Sequence, residues 1–447
     1  MKPAKRARAR PVREDRPVWI ETVLWWVVAT MVFATPIVLT PAGKDMFRLP
    51  KELLFRGGWI ALLTLVIVGL LQRHGLWRRE DLHKPAVSIA LICLAWTIVA
   101  TMASTNPRLS AEALFVVCGS VILFLTSLKL LPARSIYVIY LIVVPALLNA
   151  VLAGIQEWTS WRPIQLAELE YDRHLMTTGL MGNPNDVGAL LVGPVLLALA
   201  GSFVTRGAQR LMIIASLLVL LAGLLASRTL TAIIATAVGV LIMNAVISWK
   251  RAVAGAVALS VIGALILTLY APMAERAQKL RELITSGDYN ALVTNRLTSF
   301  RAAEEMFRAY PLTGIGPGTF GWHYHDYKLL VQEKHPGLAL SEKGAQWSFN
   351  FGEVHNDHLE IAAETGFPGW LLYMTTLGFL ASHSFRRIAA DESDVRSALA
   401  RLLALPLASA FAVLTLAQFP LQLAATRTMI LFLAALCISW STHDDAG

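Results

Sequence analysis

Apolar residues in this chain fall into twelve runs long enough to cross a bilayer. They lie near 18–40, 57–72, 86–102, 112–131, 135–156, 186–203, 210–226, 229–247, 251–270, 359–383, 397–417 and 421–440. A helix needs about 20 apolar residues to span the hydrocarbon core, and the runs are near that length. They predict an all-α polytopic membrane protein with twelve transmembrane helices. The long polar stretch from Ala271 to Glu353 separates nine runs from three and predicts a large extracytoplasmic loop, carrying short helices, between helices 9 and 10. The chain then divides into a basic cytoplasmic tail (1–17), helices 1–9 (18–270), the extracytoplasmic loop (271–358), helices 10–12 (359–440) and a short cytoplasmic tail (441–447).

Composition agrees with lipid as the solvent, since 56% of the 447 residues are hydrophobic and 15% charged. The basic N-terminus precedes an apolar run too long for a signal-peptide core, and no small-residue cleavage site follows it. Orientation is read from Lys and Arg. Seven crowd the N-terminus, and alternate connections carry Arg73, Arg78, Arg79 and Lys84, then Lys129 and Arg134, Arg206 and Arg210, Lys250 and Arg251, and Arg386 and Arg387. With twelve spans, both termini are cytoplasmic and the 271–355 stretch faces outward. One connection breaks the pattern: the first outward loop, PAGKDMFRLPKELLFR, is also basic. The positive-inside bias accounts for much of the net charge of +9, so no nucleic-acid partner is implied. Cys93, Cys118 and Cys437 all lie within spans and form no disulfide framework.

Two outward loops carry the candidate chemistry. The first, about 157–185, places Trp158 and Trp161 at the membrane interface and closes with a Gly182-Asn183-Pro184-Asn185 turn. The second opens with an amphipathic helix capped by Gly287, followed by a helix from about Thr294 to Pro311. On that second helix Arg301 and Arg308 share a face with Glu304 and Glu305, and the i,i+4 pairs Glu304–Arg308 and Arg301–Glu305 explain both as a solvated stripe. Arg296 has no such partner and shares a face with Phe300, Ala303 and Phe307. It either binds an anion or lays its stem along lipid to reach headgroups. Arg228 poses the same choice, in an outward Ser-Arg-Thr turn with nothing acidic nearby in sequence.

Gly314, Gly316 and Gly318 look superficially like a phosphate loop. No Lys-Ser/Thr follows, so a tight turn with close backbone approach is the plainer account. His355 stands out most. Asn356 or Asp357 suits the N-cap of the next helix, and Asp357 with Glu360 fits a capping box. A histidine just outside a helix N-terminus is kept neutral, and beside free backbone N–H groups it could act as a general base next to a bound phosphate. The bland alternative is an exposed loop histidine. A metal site from His355, His358 and nearby glutamates is the rival chemistry, but the spacing does not match HExxH and a helix N-terminus repels a cation.

The twelve-span layout, Arg228 at the start of a span, RLTSF from Arg296, PLTGIGPGTF (311–320) and HNDHLEIAAETGFPGW (355–370) together resemble the O-antigen ligase and polymerase superfamily of bacterial envelope glycan transferases. FRLPK (47–51) and GNPND (182–186) add moderate support. The superfamily commonly has Trp where Phe300 stands, which leaves Arg296 and Arg301 as alternatives for one role. The resemblance implies a GT-C-like, metal-independent, inverting glycosyltransferase of the bacterial inner membrane that needs no cofactor. Its donor would be an undecaprenyl-diphosphate-linked glycan and its acceptor lipid A-core. A second lipid-linked glycan, as in polymerases, or a protein hydroxyl are the alternatives. It would use His355 as base and Arg228 and Arg296 (or Arg301) on the diphosphate, with Asn356, Asp357, Gly314 and Gly316 in support. A lipid-linked glycan transporter is the rival of a different class, but transporters place charge within helices near the midplane, whereas here nearly all ionisable residues lie at span ends.

Overall fold

A computed structural model of the chain describes residues 18–41, 45–72, 76–77, 79–159, 161, 177–338, 351–385 and 394–441. The N-terminal tail, Arg73, Arg78, Arg386, Arg387, positions 162–176 and the last six residues lie outside that range. Every element among the described residues is helical. Nine helices precede the polar insert: α1 (Val18–Ala34), α2 (Arg48–Leu71), α3 (Pro85–Met102), α4 (Pro107–Leu130), α5 (Tyr140–Trp158), α6 (Pro184–Val204), α7 (Gly207–Ala226), α8 (Leu230–Ile247) and α9 (Trp249–Leu269). The insert contributes α10 (Ala271–Ser286), α11 (Tyr289–Leu292), α12 (Leu297–Ala309) and α13 (Phe320–Lys334), and the chain closes with α14 (Asp357–Ser382), α15 (Val395–Leu414) and α16 (Ala424–Ser441).

Ten of these helices are long and apolar enough to cross a membrane, against the twelve runs in the sequence. The other two runs are also helices, with reasons to fall short. α1 has only 17 residues. α14 opens with Asp357, Glu360 and Glu364, and its backbone breaks at Gly366 (φ 70°, ψ −177°) before the apolar stretch. The protein is therefore an all-α, multi-pass membrane protein. α6 and α16 form its centre and are buried along most of their length, while α9 has no buried residue and stands at the periphery against α8.

Two helices begin earlier than hydropathy suggests. α2 starts at Arg48, not near 57, because Asp45 accepts hydrogen bonds from the Phe47 and Arg48 amides and Pro50 is tolerated in a first turn. The basic first loop is thus largely the first turns of α2, and Lys51 is buried there with Phe55 and Trp59. α4 starts at Pro107 behind the N-cap Asn106.

The insert builds a small second core on the bundle. Ala302, Ala303 and Met306 of α12 pack with Phe320, Tyr324 and Val331 of α13 and Ala363 of α14. At the opposite end of the bundle, Asp81 pairs with Lys84 and Lys129, and Arg396 donates to the carbonyls of Pro132 and Arg134. Lys84, Lys129, Arg134 and Arg396 thus gather at the end of the bundle away from the polar insert.

Candidate active site

His355 sits at the junction of the insert and α14. Asn356 is the N-cap: its side chain accepts from the Leu359 amide. Asp357 instead accepts from the Leu421 amide, and Glu360 takes the Val354 amide and the Gln422 side chain, so the anticipated Asp357–Glu360 capping box does not form. Of the first α14 amides, those of Asp357 and Leu359 are occupied, donating to the Thr415 carbonyl and to the Asn356 side chain. These bonds dock the 415–421 segment under His355 and bring the Phe419 ring to 4.6 Å from the imidazole. His355 itself is left-handed (φ 61°). Its pKa is pushed down to about 3 by burial first, then by the charges of Arg296 and Arg48, so the ring is neutral. Neutrality was anticipated from the helix N-terminus; burial and two arginines are what enforce it.

Arg296 is delivered by the turn before α12. Asn290 accepts from the Asn295 and Leu297 amides, through its carbonyl and side chain respectively, and Ser299 donates to the Val354 carbonyl, tying this turn to the His355 loop. Arg296 lies at the N-cap of α12 rather than on its apolar face. Its guanidinium donates to the Ala417 carbonyl, and among the described residues no carboxylate pairs with it. Burial lowers its pKa, the mark of a cation without a counter-charge.

Arg48, at the start of α2, is the residue the sequence pattern did not single out. It spans Asp186 of α6 at 3.5 Å and Glu353 at 3.7 Å, and lies 5.6 Å from the Phe419 ring. Both ion pairs are longer than a tight guanidinium–carboxylate contact. The signal was present as the basic outward loop that violated the positive-inside pattern.

Arg228 was expected to be unpaired, and here the structure corrects the sequence. Glu157, at the end of α5, forms a close ion pair with it, and Tyr270 donates to the same carboxylate oxygen at 2.8 Å while accepting from Arg228 Nε at 3.2 Å. The partner lies 71 residues away, beyond any local pattern. Gly188 allows the Ser227–Thr229 turn to approach α6, because a Cβ there would fall 2.7 Å from Thr229. Thr229 in turn donates to the Pro184 carbonyl, so Arg228 abuts the GNPND turn whose Asp186 holds Arg48.

Among the described residues only Arg228, Thr294, Asn295 and His355 combine a side chain with positive φ. Each such residue costs about 1–2 kcal/mol, and three candidate residues either adopt this conformation or directly follow it. Strain of this kind is retained where surrounding structure over-determines it, and it concentrates at functional sites.

Arg301 lies elsewhere, on the exposed face of α12, and pairs with Glu304 at 2.6 Å. The expected partner Glu305 is taken by Arg308 and by Lys334 of α13. The glycine loop is a tight connection. A Cβ on Gly314 would fall 2.2 Å from the Glu364 backbone, and one on Gly316 2.0 Å from Ser104. The loop does hold a carboxyl group, the chain's own: Glu364 accepts from the Gly318 and Phe320 amides at 2.8 and 2.9 Å. His358 turns to Thr415 and the Ala412 carbonyl, not toward His355. Among the described residues no three His, Cys, Asp or Glu side chains converge as metal ligands.

Residues 214–374 match the family model for O-antigen ligase. The matched segment contains Arg228, Arg296, His355 and the glycine loop but not Arg48 or Glu157. The match supports placement in the O-antigen ligase and polymerase superfamily and an activity of that general type, with lipid-linked glycan and acceptor partners within a membrane. No curated protein matches the chain.

Proposed function

We propose that the protein transfers a glycan from an undecaprenyl-diphosphate carrier to an acceptor hydroxyl at the extracytoplasmic face of the bacterial inner membrane, with inversion and without a metal or cofactor. Both termini are then cytoplasmic, and lipid A-core is the acceptor of first choice. A second lipid-linked glycan would make the enzyme a polymerase, and a protein hydroxyl an oligosaccharyltransferase. The supporting observation is the neutral, strained His355 held between Arg296 and Arg48.

In the reaction, the acceptor oxygen attacks the anomeric carbon as its proton passes to the imidazole, and the bond from that carbon to the diphosphate oxygen breaks. Charge grows on the departing diphosphate, which Arg296 and Arg228 stabilise. A histidine of pKa about 3 is a weak base. Donor binding offsets part of this, because a diphosphate beside Arg296 cancels that arginine's contribution to the depressed pKa, while the larger contribution from burial remains. The base thus strengthens only once the substrate is in place.

The test is transfer in detergent by purified protein, with no membrane gradient, which a transporter would not perform. His355→Ala should abolish transfer and leave binding of undecaprenyl diphosphate within about threefold, since the arginines hold it. His358→Ala should be milder and EDTA without effect. Loss of activity with EDTA, restored by a divalent ion, would replace this mechanism with a metal-assisted one.

A further inference from the structure

The arginines expected to hold the donor carry less free charge than their number suggests. Arg228 shares Glu157 with the Tyr270 hydroxyl, and the ion pair is neutral as a unit. A glycan-bearing lipid diphosphate carries an ionised oxygen on each phosphorus. Arg296 can offset one of them. The other calls for a cation that is not already paired with a carboxylate.

Tyr270 leads to one. Its hydroxyl accepts from Arg228 Nε at 3.2 Å, its ring lies 5.8 Å from the Arg228 guanidinium, and its backbone is the N-cap of α10. α10 therefore begins beside Arg228. Arg276 follows about 9 Å along the helix axis, and helical side chains lean back toward the N-terminus. Its long guanidinium is thus carried toward Arg228. Arg276 also stands one turn after Met273, the residue of α10 that is buried, so it borders the face that meets the protein. Its pKa is lowered, by burial first and then by the Arg228 charge, and among the described residues no carboxylate opposes either. The side chain as a whole is nevertheless exposed, so the burial is one-sided and a ligand can reach it. An arginine that served only to reach lipid headgroups would gain by pointing away from a like charge. Two neighbouring guanidiniums repel each other, and an anion between them turns the repulsion into a shared clamp.

We propose that Arg276 is a further arginine on the donor diphosphate, supplying the charge that Glu157 withdraws from Arg228. The proposal rests on the transferase reading and extends its donor site onto α10. Arg228 then contributes directed hydrogen bonds, while Arg276 and Arg296 contribute the net positive charge.

The experiment uses the full chain in detergent, with undecaprenyl diphosphate and phosphatidylglycerol as separate binding probes beside initial-rate transfer. Arg276→Gln removes the charge and Arg276→Lys keeps it. Arg281→Gln makes the same change of charge on another face of α10 and is the control. Arg276→Gln should weaken retention of undecaprenyl diphosphate about tenfold and raise KM for the donor in parallel. Arg281→Gln should change retention less than about twofold, and Arg276→Lys should recover part of the loss. The sharpest arm is Glu157→Gln, which releases the Arg228 charge. In that background Arg276→Gln should cost less than about threefold, since the two arginines then substitute for each other. A tenfold loss in both backgrounds would mean that Arg276 and Arg228 do not share an anion. Loss of phosphatidylglycerol retention with undecaprenyl diphosphate retention intact would make Arg276 a headgroup anchor, and no change with either probe would leave it without an anionic ligand. Each of these three results overturns the proposal. Should Glu157→Gln not fold, the Arg276→Gln and Arg281→Gln arms decide alone. Should the wild type transfer nothing, the transferase reading fails, while the binding arms still decide Arg276.

Discussion

Arg296 and Arg301 stand five residues apart, yet the structure gives them opposite situations. Arg296 is buried, has no carboxylate partner among the described residues, and lies close enough to His355 to lower its pKa. Arg301 is 45% exposed and already paired with Glu304. Removing a charged donor aimed at the developing charge of a transition state costs about 2–4 kcal/mol, which at about 1.36 kcal/mol per decade is roughly 30- to 900-fold in kcat/KM. Removing one partner of an exposed ion pair costs about 0.2–1 kcal/mol of stability, and nothing ties that loss to turnover. Arg296→Ala should therefore reduce kcat/KM by roughly two orders of magnitude, and Arg301→Ala by no more than about fivefold. The assay is initial-rate transfer from a purified undecaprenyl-diphosphate glycan in detergent. Thermal unfolding of each variant separates lost chemistry from lost fold. Arg296→Lys should recover only part of the activity, since an ammonium cannot reproduce a guanidinium's paired donors. Equal losses in Arg296→Ala and Arg301→Ala would refute the assignment.

The His355 environment sets a pH dependence. Above its pKa the imidazole is the competent base, and in the free enzyme that pKa is about 3, so kcat/KM should show no His355 limb near pH 6. Bound diphosphate raises the value, so the acid limb in kcat should lie at higher pH than that in kcat/KM; the reverse order would contradict substrate-strengthened basicity. Arg228→Ala leaves the nearly buried Glu157 carboxylate (3% exposed) with only the Tyr270 and Thr177 hydroxyls, which should cost at most about 3–5 kcal/mol of stability. In the double variant with Glu157→Gln, thermal stability should recover while activity does not, and recovery of both would make Arg228 purely structural. For topology, a cysteine replacing Lys279 on α10 should react with an impermeant reagent from outside and one replacing Lys250 should not; the opposite pattern would invert the orientation.

Much of the architecture was legible because lipid imposes it. With no water to satisfy backbone groups, apolar runs of span length must be helices, so α3 and α5 through α9 lie close to where hydropathy puts them. Hydropathy misplaced the start of α2, because RLPKELLFR reads as a basic loop, yet Asp45 caps it and its cations face a cavity rather than lipid. At the site, His355 and Arg296 were visible as ionisable residues with no local explanation, and Arg301 as one with a sufficient explanation. Sequence could not supply partners that approach only through folding. Glu157 reaches Arg228 across 71 residues, Arg48 joins Asp186 and Glu353 from the other end of the chain, and Phe419 closes on His355 from the turn after α15. Sequence determined which charges needed explaining, because a charge beside lipid is costly wherever it lies. Tertiary structure alone decided which were neutralised, because Coulomb energy depends on distances that helix packing sets.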